Sequence, residues 1–233
     1  MQFFINFQII MIFKQLFDQK SSTYTYIISS GQGREALIID PVIESTFEYL
    51  KILRELDLKL VKVIDTHIHA DHITGLNELS KQTNCSKIMG EHSNSEVLDI
   101  RVKDNEKIKI ENIELTSIYT PGHTDCSYSF FMKDRVFTSD KLHINGTGQT
   151  EFQNGNVHDA YESRFNKLLK LPEKTLVYPD NDYSGKKDST IEKEKLTKSE
   201  KWLEGSYSFL DINNTKKNLS TFNNNLIFNK GKC

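Results

Sequence analysis

Apolar and polar residues alternate along much of the chain, and stretches with an apolar residue at every third or fourth position lie between the alternating segments. Alternation is typical of half-buried β-strands, whereas the longer period is typical of amphipathic helices. The first half of the chain is predicted to contain strands at 23–28 and 36–39, a helix at 45–56, a strand at 60–64, a helix at 73–82 and a strand at 87–89.

The second half of the chain is richer in alternating segments. It is predicted to contain strands at 107–110, 113–119, 127–132, 136–138 and 175–178, with helices at 157–171 and from Ser189 onward. Because strands precede helices in both halves, we expect an α/β fold in which two packed mixed β-sheets have helices outside, an αββα sandwich.

Length and composition are those of an ordinary globular protein. The chain has 233 residues, of which 37% are hydrophobic and 27% charged, and its formal net charge is −2. A chain of this size can bury a full core, and we treat residues 11–233 as a single domain. The small net charge gives no reason to expect nucleic acid or an anionic membrane surface as a partner.

The N-terminal segment and the cysteines indicate the cellular compartment in which we expect the protein. Residues 1–10 are apolar but too short to span a bilayer, and they lack the basic start and cleavage site of a secretory signal. We expect them to be an N-terminal extension, with Met11 as an alternative start. The three cysteines form no CxxC pair, which favours a reducing, intracellular setting.

The densest group of chemically informative residues directly follows the strand at 60–64. His67, His69 and His72 fall within six positions, and Asp71 lies between the last two. Imidazole and carboxylate groups are the ligands that borderline divalent metals prefer. A loop that leaves a strand end can turn several such side chains toward one point, so this segment predicts a metal site.

Later strand ends carry further candidate ligands. His123 lies in the turn that follows the strand at 113–119, and Asp140 closes the strand at 136–138. Sheet scaffolds deliver functional side chains on such loops. Asp180-Asn181-Asp182-Tyr183 follows the strand at 175–178 in the same way.

Two ligand sets can be drawn from these residues. His67, His69 and His123 would suit a three-histidine zinc site of the hydrolase kind. His67, His123 and Asp140 would instead suit the two-histidine, one-carboxylate triad of non-haem Fe(II) oxygenases. Residue types alone do not decide between the two metals.

The order and spacing of these motifs resemble the metallo-β-lactamase superfamily. Its pattern is matched by Thr66-His67-Ile68-His69-Ala70-Asp71-His72, by Pro121-Gly122-His123-Thr124 and by Ser139-Asp140. The resemblance is closer to one branch, the persulfide dioxygenases or sulfur dioxygenases, and it covers about residues 11–200. The segments that match this branch are 12–18, 21–26, 37–42, 69–75, 140–142 and 146–153.

The resemblance implies an iron enzyme that oxidises glutathione persulfide with O₂ and water to glutathione and sulfite, a reaction of sulfide detoxification. It implies one Fe(II) per chain held by His67, His123 and Asp140, with Zn(II) as the alternative cofactor. Two imidazoles and one carboxylate would leave positions open for O₂ and substrate.

The resemblance also assigns roles to the residues around the metal. His69 and Asp71 would act in catalysis by orienting ligands and bound water, and His72 would join them around the ion or in a second metal site. Tyr183 would donate a hydrogen bond near the metal. Gln149 and Tyr183 would bind the substrate.

Two residues depart from the pattern of the branch. Asn181 stands where relatives have a histidine that can bind a second metal, so a two-metal hydrolase is less favoured. Gln149 replaces an arginine, which removes a charged fork able to hold a carboxylate. Two rivals therefore stay open: a zinc-dependent thioester hydrolase of glyoxalase II type, and a degenerate relative that keeps the fold without turnover.

The resemblance bears on partners and location as well. It implies glutathione persulfide and O₂ as small-molecule partners, and it leaves a homodimer open. It implies a mitochondrial location in a eukaryote and a cytoplasmic one otherwise. Residues 1–10 add little support for a mitochondrial location, because they lack the arginines of a transit peptide.

Overall fold

Two β-sheets packed face to face form the centre of the molecule. The computed structural model describes residues 11–144, 148–150, 154–181 and 185–196. In this part of the chain each sheet has six strands, and helices cover the outer face of both sheets. The predicted αββα sandwich is therefore confirmed. Residues 1–10 and the end of the expected domain lie outside the described residues, so those boundaries stay predictions.

The N-terminal sheet is mixed and has the strand order β1-β2-β3-β4-β5-β6. Its strands are β1 (Ile12–Asp18), β2 (Thr23–Ser29), β3 (Glu35–Ile39), β4 (Lys59–Ile64), β5 (Ser86–Gly90) and β6 (Ile100–Val102). The first three pair antiparallel, whereas β3 to β6 run parallel. Alternation did not predict β1, because this edge strand is partly buried on both faces, or β6, because it has only three residues.

The outer face of this sheet is covered by α1 (Thr46–Glu55) and α2 (Leu76–Thr83). Their buried apolar side chains pack against the sheet in one cluster. The second helix begins three residues later than predicted. The Thr74 hydroxyl accepts a hydrogen bond from the Leu76 backbone N–H at 3.1 Å, which ends the preceding loop and starts the helix.

The C-terminal sheet has the strand order β12-β11-β10-β9-β8-β7. Its strands are β7 (Lys107–Ile110), β8 (Ile113–Tyr119), β9 (Tyr128–Met132), β10 (Arg135–Phe137), β11 (Leu176–Tyr178) and β12 (Ser189–Thr190). Neighbouring strands pair antiparallel except β10 and β11, which are parallel. The two predicted strand pairs at 107–119 and 127–138 are confirmed.

The helical cover of the second sheet is less regular than predicted. α3 (Val157–Tyr161) continues into a π-helical stretch at Glu162–Lys167 and a 3-10 turn at Leu168–Lys170. α4 (Ile191–Leu196) begins two residues after Ser189, because Ser189 and Thr190 form β12. Among the described residues, none of the helices has the length and apolar character that a bilayer crossing requires.

The main core lies between the two sheets and is rich in aromatic rings. Tyr26 and Phe137 pack with their ring centroids 4.9 Å apart, and Tyr128 is fully buried against Gly90. Burial of a large apolar side chain contributes about 1.5–3 kcal/mol. This packing fixes the two sheets relative to each other and so fixes the strand ends that carry the candidate ligands.

The contact between Gly90 and Tyr128 gives a test of this core. A Cβ atom at Gly90 would lie 2.0 Å from two carbons of the Tyr128 ring. We expect Gly90→Ala to lower the free energy of unfolding by about 1–3 kcal/mol through overpacking, measured by urea denaturation. Ser86→Ala on the same strand is the control and should change it by less than about 0.5 kcal/mol. Equal stability of Gly90→Ala and the native protein would contradict this packing.

Candidate metal centre

Loops from both sheets meet at one edge of the sandwich. β3 and β4 are parallel neighbours, so Asp40 and the loop at 65–75 leave the first sheet side by side. β10 and β11 are parallel neighbours in the second sheet, so Asp140 and Asp180 leave it together. The backbone N–H of Tyr128 donates to the Thr66 carbonyl at 2.8 Å and joins the two sheets at this edge.

Three predicted ligands lie together here. His67, His123 and Asp140 each offer one ligand atom, and these atoms all lie within 4.8 Å of one another. Asp140 Oδ2 is 3.2 Å from His123 Nε2 and 3.9 Å from His67 Nε2. The structure therefore brings together the residues of the predicted iron triad, and their binding of a metal stays a prediction.

Two hydroxyl groups orient the His67 ring. Its Nδ1 lies 2.9 Å from Ser139 Oγ and 3.0 Å from Thr66 Oγ1, which leaves Nε2 on the side of Asp140. His67 is buried, and burial lowers its pKa well below the ordinary value. The ring is therefore neutral at physiological pH and has a lone pair to offer a metal.

A backbone carbonyl orients the His123 ring. The Nδ1–H donates to the main-chain oxygen of Gln149 at 2.7 Å, so Nε2 is the nitrogen free to bind a metal. Burial lowers the pKa of His123 and favours the neutral imidazole. Gly122 lets the turn approach α3, because at its φ of +131° a Cβ atom would lie 2.3 Å from the Ala160 nitrogen.

Asp140 is held as a carboxylate by the histidines around it. Burial alone would raise its pKa, but the contact with His143, the largest opposing effect, brings the pKa below the usual value. His143 Nε2 lies 3.1 Å from Asp140 Oδ1. The sequence reasoning missed His143. The available signal was its spacing of three residues from Asp140, which places both side chains on one side of the turn at Ser139–Lys141.

His69 faces two carboxylates instead of His123. Its Nε2 is 3.2 Å from Asp40 Oδ1, and its Nδ1 is 3.4 Å from Asp180 Oδ2. Burial alone would lower the pKa of His69, but Asp180 and Asp40 raise it well above the ordinary value. Within the described residues His69 forms a compact group with His67 and Asp180, and the predicted three-histidine set is not among such groups.

Asp71 and His72 lie beside this group. Asp71 accepts hydrogen bonds from Thr23 Oγ1 at 2.9 Å and from Asn181 Nδ2 at 3.1 Å, and it lies 3.1 Å from His72 Nδ1. With His69, these two residues form another set whose ligand atoms lie within 4.8 Å. Asn181 directs its amide nitrogen at Asp71, so at this position it acts as a hydrogen-bond donor.

The structure describes only one of the two residues that were predicted to bind the substrate. Gln149 has an exposed side chain, while its main-chain oxygen orients His123, a role that the sequence did not suggest. Tyr183 lies outside the described residues. Substrate binding by both residues and the catalytic roles of Tyr183, His69 and Asp71 stay predictions.

The donor chemistry fits a divalent cation. Imidazole nitrogens and carboxylate oxygens converge on a buried edge, and His72 Nε2, His69 Nδ1 and both oxygens of Asp180 are buried without a hydrogen-bond partner. Buried polar atoms are rarely left unsatisfied in proteins. A metal ion and its bound water would satisfy these atoms, and the residues present can supply its ligands.

Comparison with known proteins agrees with this fold. Residues 19–179 match the sequence profile of the metallo-β-lactamase superfamily. The mitochondrial persulfide dioxygenase ETHE1 of Mus musculus is 37% identical over 188 residues, which are 79% of this chain and 74% of the mouse protein. A hydroxyacylglutathione hydrolase of Dictyostelium discoideum is 28% identical over 201 residues, 81% of this chain and 71% of that protein.

A solved structure is similar over most of its length. The crystal structure of ETHE1 from Myxococcus xanthus superposes with a TM-score of 0.80 and 39% sequence identity, covering 89% of this chain and 91% of that one. The chain therefore belongs to the metallo-β-lactamase superfamily. The resemblance to its persulfide dioxygenase branch, expected from the motifs, is confirmed by the two ETHE1 proteins.

Metal binding at this edge should raise the melting temperature. A free metal concentration of about 100 times Kd stabilises the folded state by about 2.7 kcal/mol, which corresponds to roughly 5–10 °C for a chain of this size. We expect such an increase when Fe(II) or Zn(II) is added to chelator-treated protein in differential scanning calorimetry. His123→Ala should reduce the increase, whereas the control His158→Ala, at an exposed histidine, should retain it. Equal increases in both variants would contradict the site.

Proposed function

We propose that the chain is an iron-dependent persulfide dioxygenase that converts glutathione persulfide, O₂ and water to glutathione and sulfite. The observation that carries this proposal is the compact set of His67, His123 and Asp140, with ligand atoms within 4.8 Å. Two neutral imidazoles and one carboxylate make up the donor set of non-haem Fe(II) oxygenases. Bound Fe(II) would supply the redox chemistry that couples O₂ to the persulfide sulfur.

The protein's own part is to hold and orient these ligands. Ser139 and Thr66 fix the His67 ring, and the Gln149 carbonyl fixes the His123 ring. Partners of this kind set the tautomer and direction of metal-binding histidines. Three protein ligands on one side would leave the other side of the ion open to substrate and O₂.

The neighbouring residues would control bound water. In this proposal His69 and Asp71 orient water near the ion, His72 supports Asp71 from 3.1 Å, and Tyr183 donates a hydrogen bond to substrate or water. Residues in such positions typically change activity or metal affinity by about 10–100-fold. The proposal also places the protein in the mitochondrion of a eukaryotic host, since the mouse relative is mitochondrial by name.

A zinc-dependent thioester hydrolase is the second candidate, because the Dictyostelium relative is named hydroxyacylglutathione hydrolase. Two observations favour the dioxygenase over it. Sequence identity to the two ETHE1 proteins, 37% and 39%, is higher than the 28% identity to the Dictyostelium hydrolase. Asn181 also offers a weak neutral amide where a two-metal hydrolase would need a ligand, and its amide nitrogen is already directed at Asp71.

Metal content and oxygen consumption together test the proposal. We expect protein purified without added metal to contain about one iron per chain, measured by inductively coupled plasma mass spectrometry. In an oxygen electrode, glutathione persulfide should drive O₂ uptake with an equal amount of sulfite formed. His123→Ala and Asp140→Ala should each lower kcat/KM by more than about 100-fold, beyond the usual effect of residues that only surround a metal.

The control for this assay is His158→Ala, which changes an exposed histidine outside the metal centre and should keep native turnover. Zinc in place of iron, with thioester cleavage and no O₂ uptake, would establish the hydrolase instead. Metal-loaded protein that catalyses neither reaction would establish a relative without turnover.

Gln149 gives a separate test of the substrate. If this side chain lies against a carboxylate of glutathione, Gln149→Arg restores a charged hydrogen-bonding fork there. We expect KM for glutathione persulfide to fall about tenfold, the equivalent of about 1.4 kcal/mol, with little change in kcat. Gln149→Glu, the matched control of opposite charge, should raise KM. Steady-state kinetics that show the same KM for both variants would remove Gln149 from the substrate site.

A further inference from the structure

Asp180 is a buried carboxylate that the proposed iron triad does not use. Its side chain has no exposed surface, and neither of its oxygens has a hydrogen-bond partner. Burial of a carboxylate without compensation is costly in free energy. Asp180 lies directly beyond β11 at the edge of the sandwich that carries the candidate metal centre, where a protonated His69 or a bound metal ion can compensate its charge.

The atom that faces Asp180 is a ring nitrogen of His69. Nδ1 of His69 lies 3.4 Å from Asp180 Oδ2, which is the distance of an ion pair, and neither atom forms a hydrogen bond of good geometry. Two ligands bound tetrahedrally to one zinc-like ion at 2.0–2.2 Å lie about 3.3–3.6 Å apart. The observed separation therefore suits two ligands of one ion as well as an ion pair, and the experiment below distinguishes the two.

The other side of the His69 ring is already engaged. Nε2 lies 3.2 Å from Asp40 Oδ1, and that same oxygen accepts from the Thr66 backbone N–H at 2.7 Å. A carboxylate on the far nitrogen is the usual support of a metal-binding histidine, because it fixes the tautomer and the ring orientation. Asp40 thus directs Nδ1 of His69 toward Asp180.

His67 supplies the third donor. Its ligand atom lies within 4.8 Å of those of His69 and Asp180. Nδ1 of His67 is engaged by Ser139 and Thr66, so Nε2 is the nitrogen that both this set and the triad must use. One nitrogen lone pair binds one ion, and the two sets therefore cannot be filled by separate ions.

We propose that His67, His69 and Asp180 form a second ligand set for a borderline divalent cation such as Zn(II) or Co(II), overlapping the triad at His67. The chain then holds one such ion in either of two neighbouring positions. Two imidazoles and one carboxylate suit a tetrahedral ion with one position left for water. This proposal concerns binding alone and does not depend on dioxygenase turnover.

Co(II) titration of chelator-treated protein tests the second set, with affinity measured by competition against a coloured chelator. His123→Ala removes a triad ligand and leaves the second set intact, so this variant should bind one Co(II) per chain. Adding Asp180→Asn to it should weaken binding at least about tenfold. The control Asp159→Asn, at an exposed carboxylate, should leave the affinity of His123→Ala unchanged.

An unchanged or tighter affinity in His123→Ala/Asp180→Asn would overturn the proposal, since it would reduce Asp180 to an ion-pair partner of His69. Two Co(II) ions per native chain would overturn the sharing of His67. Circular dichroism checks that each variant is folded.

A measurement on the single variant His123→Ala covers the case in which the double variant does not fold. With Zn(II) bound to this variant, which lacks a triad ligand, the ¹⁵N resonance of His69 Nδ1 should take the shift of a metal-bound nitrogen, and the shift of an N–H in its place would overturn the proposal. Loss of oxygen uptake in the turnover assay would leave both binding results unaffected, so the two proposals fail separately.

Discussion

Parallel pairing of neighbouring strands is the constraint on which the site depends. When two parallel strands lie side by side, the loops that follow them leave the sheet at the same edge. At this site the pairs are β3 and β4 in the first sheet and β10 and β11 in the second. The hydrogen bond from Tyr128 N–H to the Thr66 carbonyl joins the two edges. Residues far apart in sequence, such as His67 and Asp140, therefore meet without a continuous binding segment.

Burial then decides the charge of each group at this edge. His67 and His123 lose their protons because burial lowers their pKa values, while the contact with His143 lowers the pKa of Asp140 and keeps it ionised. Neutral imidazole and anionic carboxylate are the forms that bind metals. Hydroxyl and carbonyl partners also fix the donor nitrogen of each ring before any ion arrives. The fold thus preorganises both the direction and the charge of the candidate ligands.

The sequence could predict the sandwich and the three residues of the triad, because these rest on periodicity, on strand ends and on motif order. It could not pair His69 with Asp180, since that contact depends on side-chain direction between two sheets. It named Asn181 as a weak ligand but could not show that its amide donates to Asp71. The irregular segment after α3 was also missed, because a π-helical stretch keeps an apolar pattern close to that of an α-helix.

In the proposed site, side chains from separate strand ends bind a single iron. A crystal structure of anaerobically prepared, Fe(II)-loaded protein, with anomalous diffraction measured at the iron absorption edge, tests it directly. We expect one anomalous peak per chain within bonding distance of His67 Nε2, His123 Nε2 and an Asp140 oxygen. A peak that has neither His123 nor Asp140 as a ligand, or the absence of any peak at this edge of the sandwich, would contradict it.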